Sequence, residues 1–255
     1  MNERGMVGPA GQPPDGAPWL GLRREDRPEW LDQGRGTPRD VAANLAEMAR
    51  INRRLGGLAA LTRHLLPRLL AAPAPLTVLD LGTGSADIPA HLVRWARAHG
   101  RELRVIGLDW AARNLAAARQ GLPAGISGVS LLQADALRPP FAAAGVDFVI
   151  GSLFLHHFDP QSVVTLLRGA AGLARRAVIM TDLVRGRLPA LAFKVVQPIF
   201  ARHPFTAHDG ALSIRRAYTP AELRALALAA GLPQARVTAH WPWRMTLVYD
   251  REPHA

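Results

Sequence analysis

The chain has 255 residues, of which 49% are hydrophobic, contains no cysteine and carries a formal net charge of +11. This length and apolar content fit one sizeable packed domain with an appendage, and the lack of cysteine excludes disulfides, thiolate metal sites and cysteine nucleophiles. Lys194 is the single lysine among 31 basic residues, and the arginines occur in scattered pairs such as Arg23-Arg24 and Arg215-Arg216. Scattered pairs indicate solvated faces, so a nucleic-acid partner is not expected.

The apolar runs bear on the location of the protein. None is long enough to span a bilayer, and residues 1–16 lack the apolar core of a signal peptide. We therefore expect a cytoplasmic protein without a membrane span. The pattern does not indicate an oligomeric state.

The first 72 residues divide into two parts. Residues 1–36 are rich in glycine, proline and charge without a period, which predicts a mobile arm in which Trp19 and Trp30 are candidates to dock. Residues 37–72 have helical periodicity and predict two helices. These helices either cover one edge of a cleft or simply pack against the sheet that follows.

A core domain is predicted over residues 73–250. Short apolar segments alternate with helical segments, which indicates a parallel sheet with right-handed crossovers. The predicted strands are near 76–81, 104–109, 129–134, 146–152 and 177–182, and the helices near 87–99, 111–120 and 160–174. The alternation stops after Asp182. A capping box at Thr219 then opens a last helix, and residues 235–249 predict a hairpin across Pro242.

The turn after the first core strand is the most informative segment. Gly82 and Gly84 allow positive φ angles and a close approach of the backbone to a ligand. A pyrophosphate could use the same turn, so these glycines alone do not identify a cofactor. Asp80 does discriminate, because a carboxylate two residues before the first glycine repels pyrophosphate and suits a cation such as an ammonium or sulfonium.

Acidic residues also end the next two predicted strands. Asp109 is placed where this type of fold holds a ribose diol, and Trp110 beside it could lie against a flat base. Asp135 could accept a hydrogen bond from an exocyclic amine. The alternative is that acids such as Asp87 and Asp109 only cap helices.

With this series of acids the chain resembles the class I, Rossmann-like S-adenosylmethionine (SAM) methyltransferases, whose first motif reads (D/E)-x-G-x-G-x-G. The resemblance covers roughly residues 76–183 and departs at the third glycine, which is Ala86 here. It implies that Asp80 lies beside the methionine part of SAM, Asp109 on the ribose and Asp135 at the adenine amine. The residues predicted to bind SAM are Asp80, Gly82, Thr83, Gly84, Asp109, Trp110, Asp135, Ala136 and Ser152.

The resemblance also completes the fold prediction. It implies a doubly wound α/β domain with a mostly parallel, seven-stranded sheet whose last strand is antiparallel. It further implies that residues 184–218, which carry prolines, aromatics and arginines, form a substrate-binding insert.

Methyl transfer is an in-line displacement, and a base assists when the acceptor is a hydroxyl. The candidate bases are His156 and His157 at the end of the fourth strand, and His208 in the insert. Alternatively, the histidine pair only packs near the cofactor, and Asp209-Gly210 beside His208 is only a turn. No metal site is predicted, because adjacent histidine side chains rarely converge and no carboxylate cluster surrounds them in the sequence.

The leading functional hypothesis is O-methylation of an aromatic or polyketide-like hydroxyl on a small molecule. The aromatics of the insert and the hairpin would line an apolar pocket; they are Phe193, Phe200, Phe205, Trp241 and Trp243. The alternatives are C-methylation of a quinone-like ring, methylation of RNA or protein, a SAM-binding module without turnover, and an NAD-dependent oxidoreductase.

Overall fold

The computed structural model describes residues 21–251, which form a seven-stranded sheet in the order β3-β2-β1-β4-β5-β7-β6. The strands are β1 Leu76–Leu81, β2 Leu103–Asp109, β3 Val129–Gln133, β4 Val146–Ser152, β5 Ala174–Leu183, β6 Arg236–His240 and β7 Arg244–Asp250. The strands β1 to β5 pair in parallel, and β7 pairs antiparallel with both β5 and β6. The predicted fold class is confirmed.

Eight α-helices accompany the sheet within the described residues. They are α1 Pro38–Arg54, α2 Gly57–Ala71, α3 Asp87–Ala98, α4 Ala112–Gly121, α5 Pro160–Leu173, α6 Arg187–Phe200, α7 Pro204–Arg216 and α8 Pro220–Ala229, with one 3₁₀ turn at Leu155–His157. The predicted capping box of α8 is present, with Thr219 accepting from the Glu222 N–H. Among the described residues, no helix combines the length and apolar character needed to cross a bilayer.

Both faces of the sheet are covered. Side chains alternate along a strand, so Val78 of β1 packs with α2 and α3 on one face, while Leu79 and Leu81 pack with α5 and α8 on the other. Burial on both faces explains why β1 is almost uniformly apolar. The exceptions are Thr77, which is only partly buried, and Asp80, which lies near the carboxyl end of the strand.

The order of the strands decides where a site can form. The chain runs outward from β1 to β2 and β3, and then returns to β4 on the other side of β1. Such a reversal leaves a crevice at the carboxyl ends of β1 and β4, the usual ligand site of open α/β sheets.

Residues 184–218, where the predicted alternation of strand and helix stops, form two helices, α6 and α7. Pro189 lies in the first turn of α6 and Pro204 is the first residue of α7, where no intrahelical N–H bond is lost. The interpretation of Asp209-Gly210 as a turn is wrong, because both residues lie inside α7. Close packing explains the glycine at position 210, because an added Cβ would lie 2.5 Å from the Phe193 ring.

The N-terminal segment, residues 21–36, packs against α7. The Trp30 ring stacks on His208 with a centroid distance of 3.9 Å and contacts Phe205 edge-on. This part of the predicted arm is therefore held by tertiary contacts, and Trp30 docks. Residues 1–20, including Trp19, lie outside the described residues, and the domain boundaries remain a prediction.

Candidate functional site

A cavity of about 800 Å³ opens at the crevice between β1 and β4. It is lined by all the residues predicted to bind SAM, namely Asp80, Gly82, Thr83, Gly84, Asp109, Trp110, Asp135, Ala136 and Ser152. The parallel strands bring these residues together from distant positions in the chain. Their roles toward a ligand remain a prediction.

Asp80 is a buried carboxylate, 2% exposed, whose Oδ2 accepts a hydrogen bond of 2.7 Å from the Thr83 hydroxyl. Among the described residues, no arginine, lysine or histidine forms an ion pair with it. Burial, together with the negative charges of Asp87 and Asp109, raises the pKa of Asp80 to about 7 despite the Thr83 bond. A buried carboxylate without a cationic side chain suits a cationic ligand.

The glycine turn has the predicted backbone. Gly82 and Gly84 have φ angles of +69° and +52°, which side chains strongly disfavour. Ala86, which replaces the third glycine of the motif, also has a positive φ of 55° and is fully buried. The sequence therefore departs from the motif at a position where the backbone still adopts the left-handed conformation.

Gly82→Val should abolish SAM binding while the sheet stays folded. A Cβ at Gly82 would lie 2.2 Å from the Phe154 ring, so that ring would have to move at the cavity wall, and the positive φ adds strain. We expect SAM to produce no thermal shift of this variant. Gly121→Val is the matched control, because nothing lies within 4 Å of a Cβ there. A normal shift with Gly82→Val would contradict the assignment of this turn.

Asp109 lines the cavity and accepts hydrogen bonds from the two backbone turns beside it. Its Oδ1 accepts from the Ala111 N–H at 2.9 Å, and its Oδ2 accepts from the Gly84 N–H at 2.9 Å. Burial raises its pKa, although these bonds oppose the shift. The alternative that Asp87 and Asp109 only cap helices is wrong, because the N-cap residues of α3 and α4 are Ala86 and Ala111 and no side chain caps either helix. Asp135 is held by the Leu137 N–H, and the exposed Trp110 ring borders the cavity.

Asn52 of α1 is a buried cavity residue that the sequence analysis missed. Its Nδ2 donates to the Ser152 Oγ at 3.3 Å, while its Oδ1 has no hydrogen-bond partner among the described residues. Leu45, Met48 and Ala49 of the same helix also line the cavity. Helix α1 therefore forms one wall of the cavity. This agrees with the first of the two alternatives for the N-terminal helices, that they cover one edge of a cleft.

His157 borders the cavity, and Asp32 orients it. The Nδ1 of His157 lies 3.0 Å from the Asp32 Oδ2, and because a carboxylate can only accept, this nitrogen carries the proton and Nε2 is left as the acceptor. Burial opposes ionisation of Asp32, but His157 and Arg216 outweigh it and lower its pKa to about 2. The pair has the geometry of a base held by a carboxylate.

His156 is fully buried and does not line the cavity. Its Nδ1 lies 2.7 Å from the Asp182 Oδ1, and its Nε2 lies 3.5 Å from the Glu29 Oε1. Although burial alone would lower its pKa, the two carboxylates raise it to about 10. His156 is therefore charged at neutral pH, and the structure corrects its candidacy as a base.

The expectation that no carboxylate lies beside the histidine pair is also wrong. Glu29 comes from the N-terminal segment, and ligand atoms of Glu29, His156 and His157 lie within 4.8 Å of one another. In its protonated form His156 directs the Nδ1 proton toward Asp182 and the Nε2 proton toward Glu29, so a metal ion bound at Nε2 would have to displace the second proton. Glu29, His156 and Asp182 thus form a buried ion-pair cluster.

His208 and Asp209 contact the N-terminal segment and do not line the cavity. Asp209 is buried, and its two oxygens accept from the Trp30 and Leu31 N–H groups at 2.9 and 3.1 Å. His208 donates to the same carboxylate at 2.8 Å and does not line the cavity. The structure therefore corrects the candidacy of His208 as a base, because its contacts are with Asp209 and with Trp30 of the N-terminal segment.

Asp209→Asn should destabilise the fold and release this segment. The change weakens hydrogen bonds to a buried charge, so we expect the free energy of unfolding in urea to fall by about 2 kcal/mol, with faster proteolysis within residues 21–36. Asp26→Asn is the control, because Asp26 lies exposed in the same segment and bonds to Arg24. Equal stability and cleavage of the two variants would show that Asp209 does not anchor the segment.

The predicted aromatic lining is wrong. Phe193 packs with Ile214 in a separate cluster, and Phe200, Phe205, Trp241 and Trp243 do not line the cavity either. Among the described residues of the segment 184–218, Arg216 is the one that lines the cavity. The apolar wall residues are instead Leu31, Leu45, Met48, Leu153, Phe154 and Phe158, with others from the strands.

A doubly wound sheet with a carboxylate-lined cavity at its switch point is the arrangement in which α/β proteins bind nucleotide-type cofactors. Within this class, the family model of a methyltransferase domain matches residues 78–176. The match begins in β1 and extends into β5. It contains the three strand-end carboxylates.

One curated relative is the 2-phytyl-1,4-naphtoquinone methyltransferase of Thermosynechococcus vestitus (strain NIES-2133 / IAM M-273 / BP-1). It is 45% identical over 73 residues, which make up 29% of this chain and 31% of that protein. The chain thus matches about a third of the length of this relative.

Solved structures share the fold. A SAM dependent methyltransferase from Aquifex aeolicus has a TM-score of 0.55 at 16% identity, over 85% of this chain and 99% of that one. Human N-acetylserotonin methyltransferase, solved with SAM, has a TM-score of 0.62 at 13% identity, over 89% and 63% of the two chains. The domain match over residues 78–176 and the shared fold agree with the prediction of a class I, Rossmann-like SAM-dependent methyltransferase domain, a class whose cofactor is SAM.

Proposed function

We propose that the protein transfers a methyl group from SAM to a small hydroxylated aromatic molecule, with the hydroxyl oxygen as the leading acceptor atom. The observation that carries the proposal is that one cavity contains both the acidic series, Asp80, Asp109 and Asp135, and the His157–Asp32 pair. The first group suits the cofactor and the second suits a hydroxyl acceptor.

The acidic series fits SAM in charge and position. Asp80 is buried, its hydrogen bond comes from Thr83, and no cationic side chain pairs with it among the described residues. It would hold the positively charged methionine part. Asp109 and Asp135, at the ends of the neighbouring strands, would receive the ribose and the adenine amine. When bound, SAM supplies an electrophilic methyl group on a sulfonium.

His157 would act on the acceptor. Its Nε2 would accept the proton of the acceptor hydroxyl, and Asp32 would stabilise the imidazolium that results. SAM would supply the methyl group and leave as the neutral thioether S-adenosylhomocysteine. Arg216 keeps Asp32 ionised and also donates to the His157 carbonyl at 2.8 Å, which fixes the position of the histidine. The apolar side chains around the pair, such as Phe154 and Phe158, would exclude water from the acceptor ring.

C-methylation of a quinone-like ring is the second candidate. The relative from Thermosynechococcus vestitus is by its name a naphthoquinone methyltransferase, which supports an acceptor of this kind. The same base would serve, because loss of the hydroxyl proton from a reduced ring makes a ring carbon nucleophilic. A ring C–H proton is then lost after the new C–C bond forms.

A methyl-transfer screen with labelled SAM would test the proposal. The acceptors are phenols, hydroquinones, carboxylic acids and bulk RNA, and NMR of the product distinguishes a methoxy group from a ring methyl group. We expect transfer to phenols or hydroquinones. Transfer to RNA alone, or SAM binding without transfer to any acceptor class, would overturn the proposed function.

A further inference from the structure

Helix α6 exposes an apolar face, which we call the α6 face. It consists of Leu188, Leu191, Val195 and Ile199, each between 58% and 71% exposed. At 100° per residue these positions fall within an arc of roughly 80°. Surface helices usually present polar residues there, so an exposed apolar stripe marks an interaction site.

The opposite side of α6 is already buried. Phe193 and Pro189 are buried, and Phe193 packs with Ile214 of α7 beside Ile51 of α1. The helix is thus fixed to the fold through one face. The α6 face is therefore not required for packing among the described residues.

The charged side chains of residues 183–208 have one sign, and Glu47 and Asp40 of α1 contact only the end of this segment, at Arg202 and His203. Arg187 and Lys194 are exposed on α6, Arg202 is exposed just after its end, and no aspartate or glutamate occurs from residue 183 to 208. An apolar stripe flanked by basic residues is the pattern of a helix that lies in a membrane interface. Exposed Trp241 lies in the adjoining hairpin, whose Trp243 carbonyl accepts from the Val184 N–H at 3.0 Å.

We propose that the α6 face docks on an anionic lipid surface. Its apolar residues would enter the boundary between headgroups and acyl chains, while Arg187, Lys194 and Arg202 would lie among anionic headgroups. A second copy of the chain fits less well, because two α6 faces in contact would bring like charges together. The proposal concerns a surface outside the cavity and does not depend on the methyl-transfer reaction.

Flotation of the full-length protein with vesicles would test the apolar part of the proposal. We expect binding to vesicles rich in phosphatidylglycerol, and at least about tenfold weaker binding of Leu191→Glu/Val195→Glu. Leu228→Glu is the matched control, because Leu228 is 64% exposed on α8, away from this face. Circular dichroism and SAM-induced thermal shifts should match in all the variants. Equal flotation of the double variant and the control would overturn the proposal.

A second arm tests the charges. Arg187→Glu/Lys194→Glu, or salt raised to about 1 M, where the Debye length falls to about 3 Å, should also weaken flotation at least about tenfold, and neutral phosphatidylcholine vesicles should bind poorly. Equal binding to neutral and anionic vesicles would overturn the electrostatic part. If light scattering shows a dimer that Leu191→Glu/Val195→Glu dissolves, and no vesicle binds, the α6 face is an interface between copies instead.

Discussion

Binding of SAM should weaken about tenfold for each pH unit below pH 7. Burial raises the pKa of Asp80 to about 7 in the free protein, so its carboxyl is mostly neutral below that pH and must lose a proton to face a cation. A carboxyl group with a raised pKa is charged only above that pKa. The affinity for SAM is therefore full above about pH 8 and decreases as the pH falls below about 7. Calorimetry across pH 5.5–8.5 would measure this.

Asp80→Asn should weaken SAM by about ten- to a hundredfold at pH 8, the effect of losing a charge-assisted contact worth about 1.5–3 kcal/mol. The pH dependence below 7 should largely disappear with it. Glu102→Gln is the control. Glu102 is exposed and directly precedes β2, so it lies at the amino-terminal end of the parallel strands, opposite the cavity. A variant that keeps the wild-type affinity and pH slope would remove Asp80 from the cofactor site.

Replacing His157 with alanine should lower the rate of methyl transfer by about a hundred- to ten-thousandfold, the usual contribution of a positioned base, while SAM affinity stays nearly unchanged. The rate should partly recover at high pH, because the acceptor hydroxyl then ionises unaided. Asp32→Asn should act in the same direction with a smaller loss, because His157 remains but loses its orienting carboxylate. Single-turnover rates and SAM calorimetry separate the two effects.

Two controls distinguish chemistry from structure in that experiment. His99→Gln changes an exposed histidine stacked on Trp95 and should leave both the rate and the affinity unchanged. His156→Gln should instead lower stability, because it leaves Asp182 and Glu29 buried without their shared cation. Normal turnover by His157→Ala would mean that the acceptor arrives ionised or that another group is the base.

Local patterns determined the elements of the core and the carboxylates at the ends of their strands. Alternation of strand and helix, caps such as Thr219 and the turn at Gly82 act over a few residues, so they are readable without the fold. Asp80, Asp109 and Asp135 could be assigned to one cavity because parallel strands end at one edge of a sheet. The hairpin across Pro242 is equally local.

The tertiary structure alone decided which other residues reach the cavity. Asp32 and Glu29 arrive through the contacts of Asp209 and Arg216 with the N-terminal segment, which join positions more than 170 residues apart and leave no periodic signal. His156 and His157 are neighbours in the chain, and only packing buries one as a charged ion pair and turns the other to the cavity. The aromatics of α6 and α7 lie away from the cavity for the same reason, because tertiary contacts such as Phe193 with Ile214 and Phe205 with Trp30 hold them elsewhere.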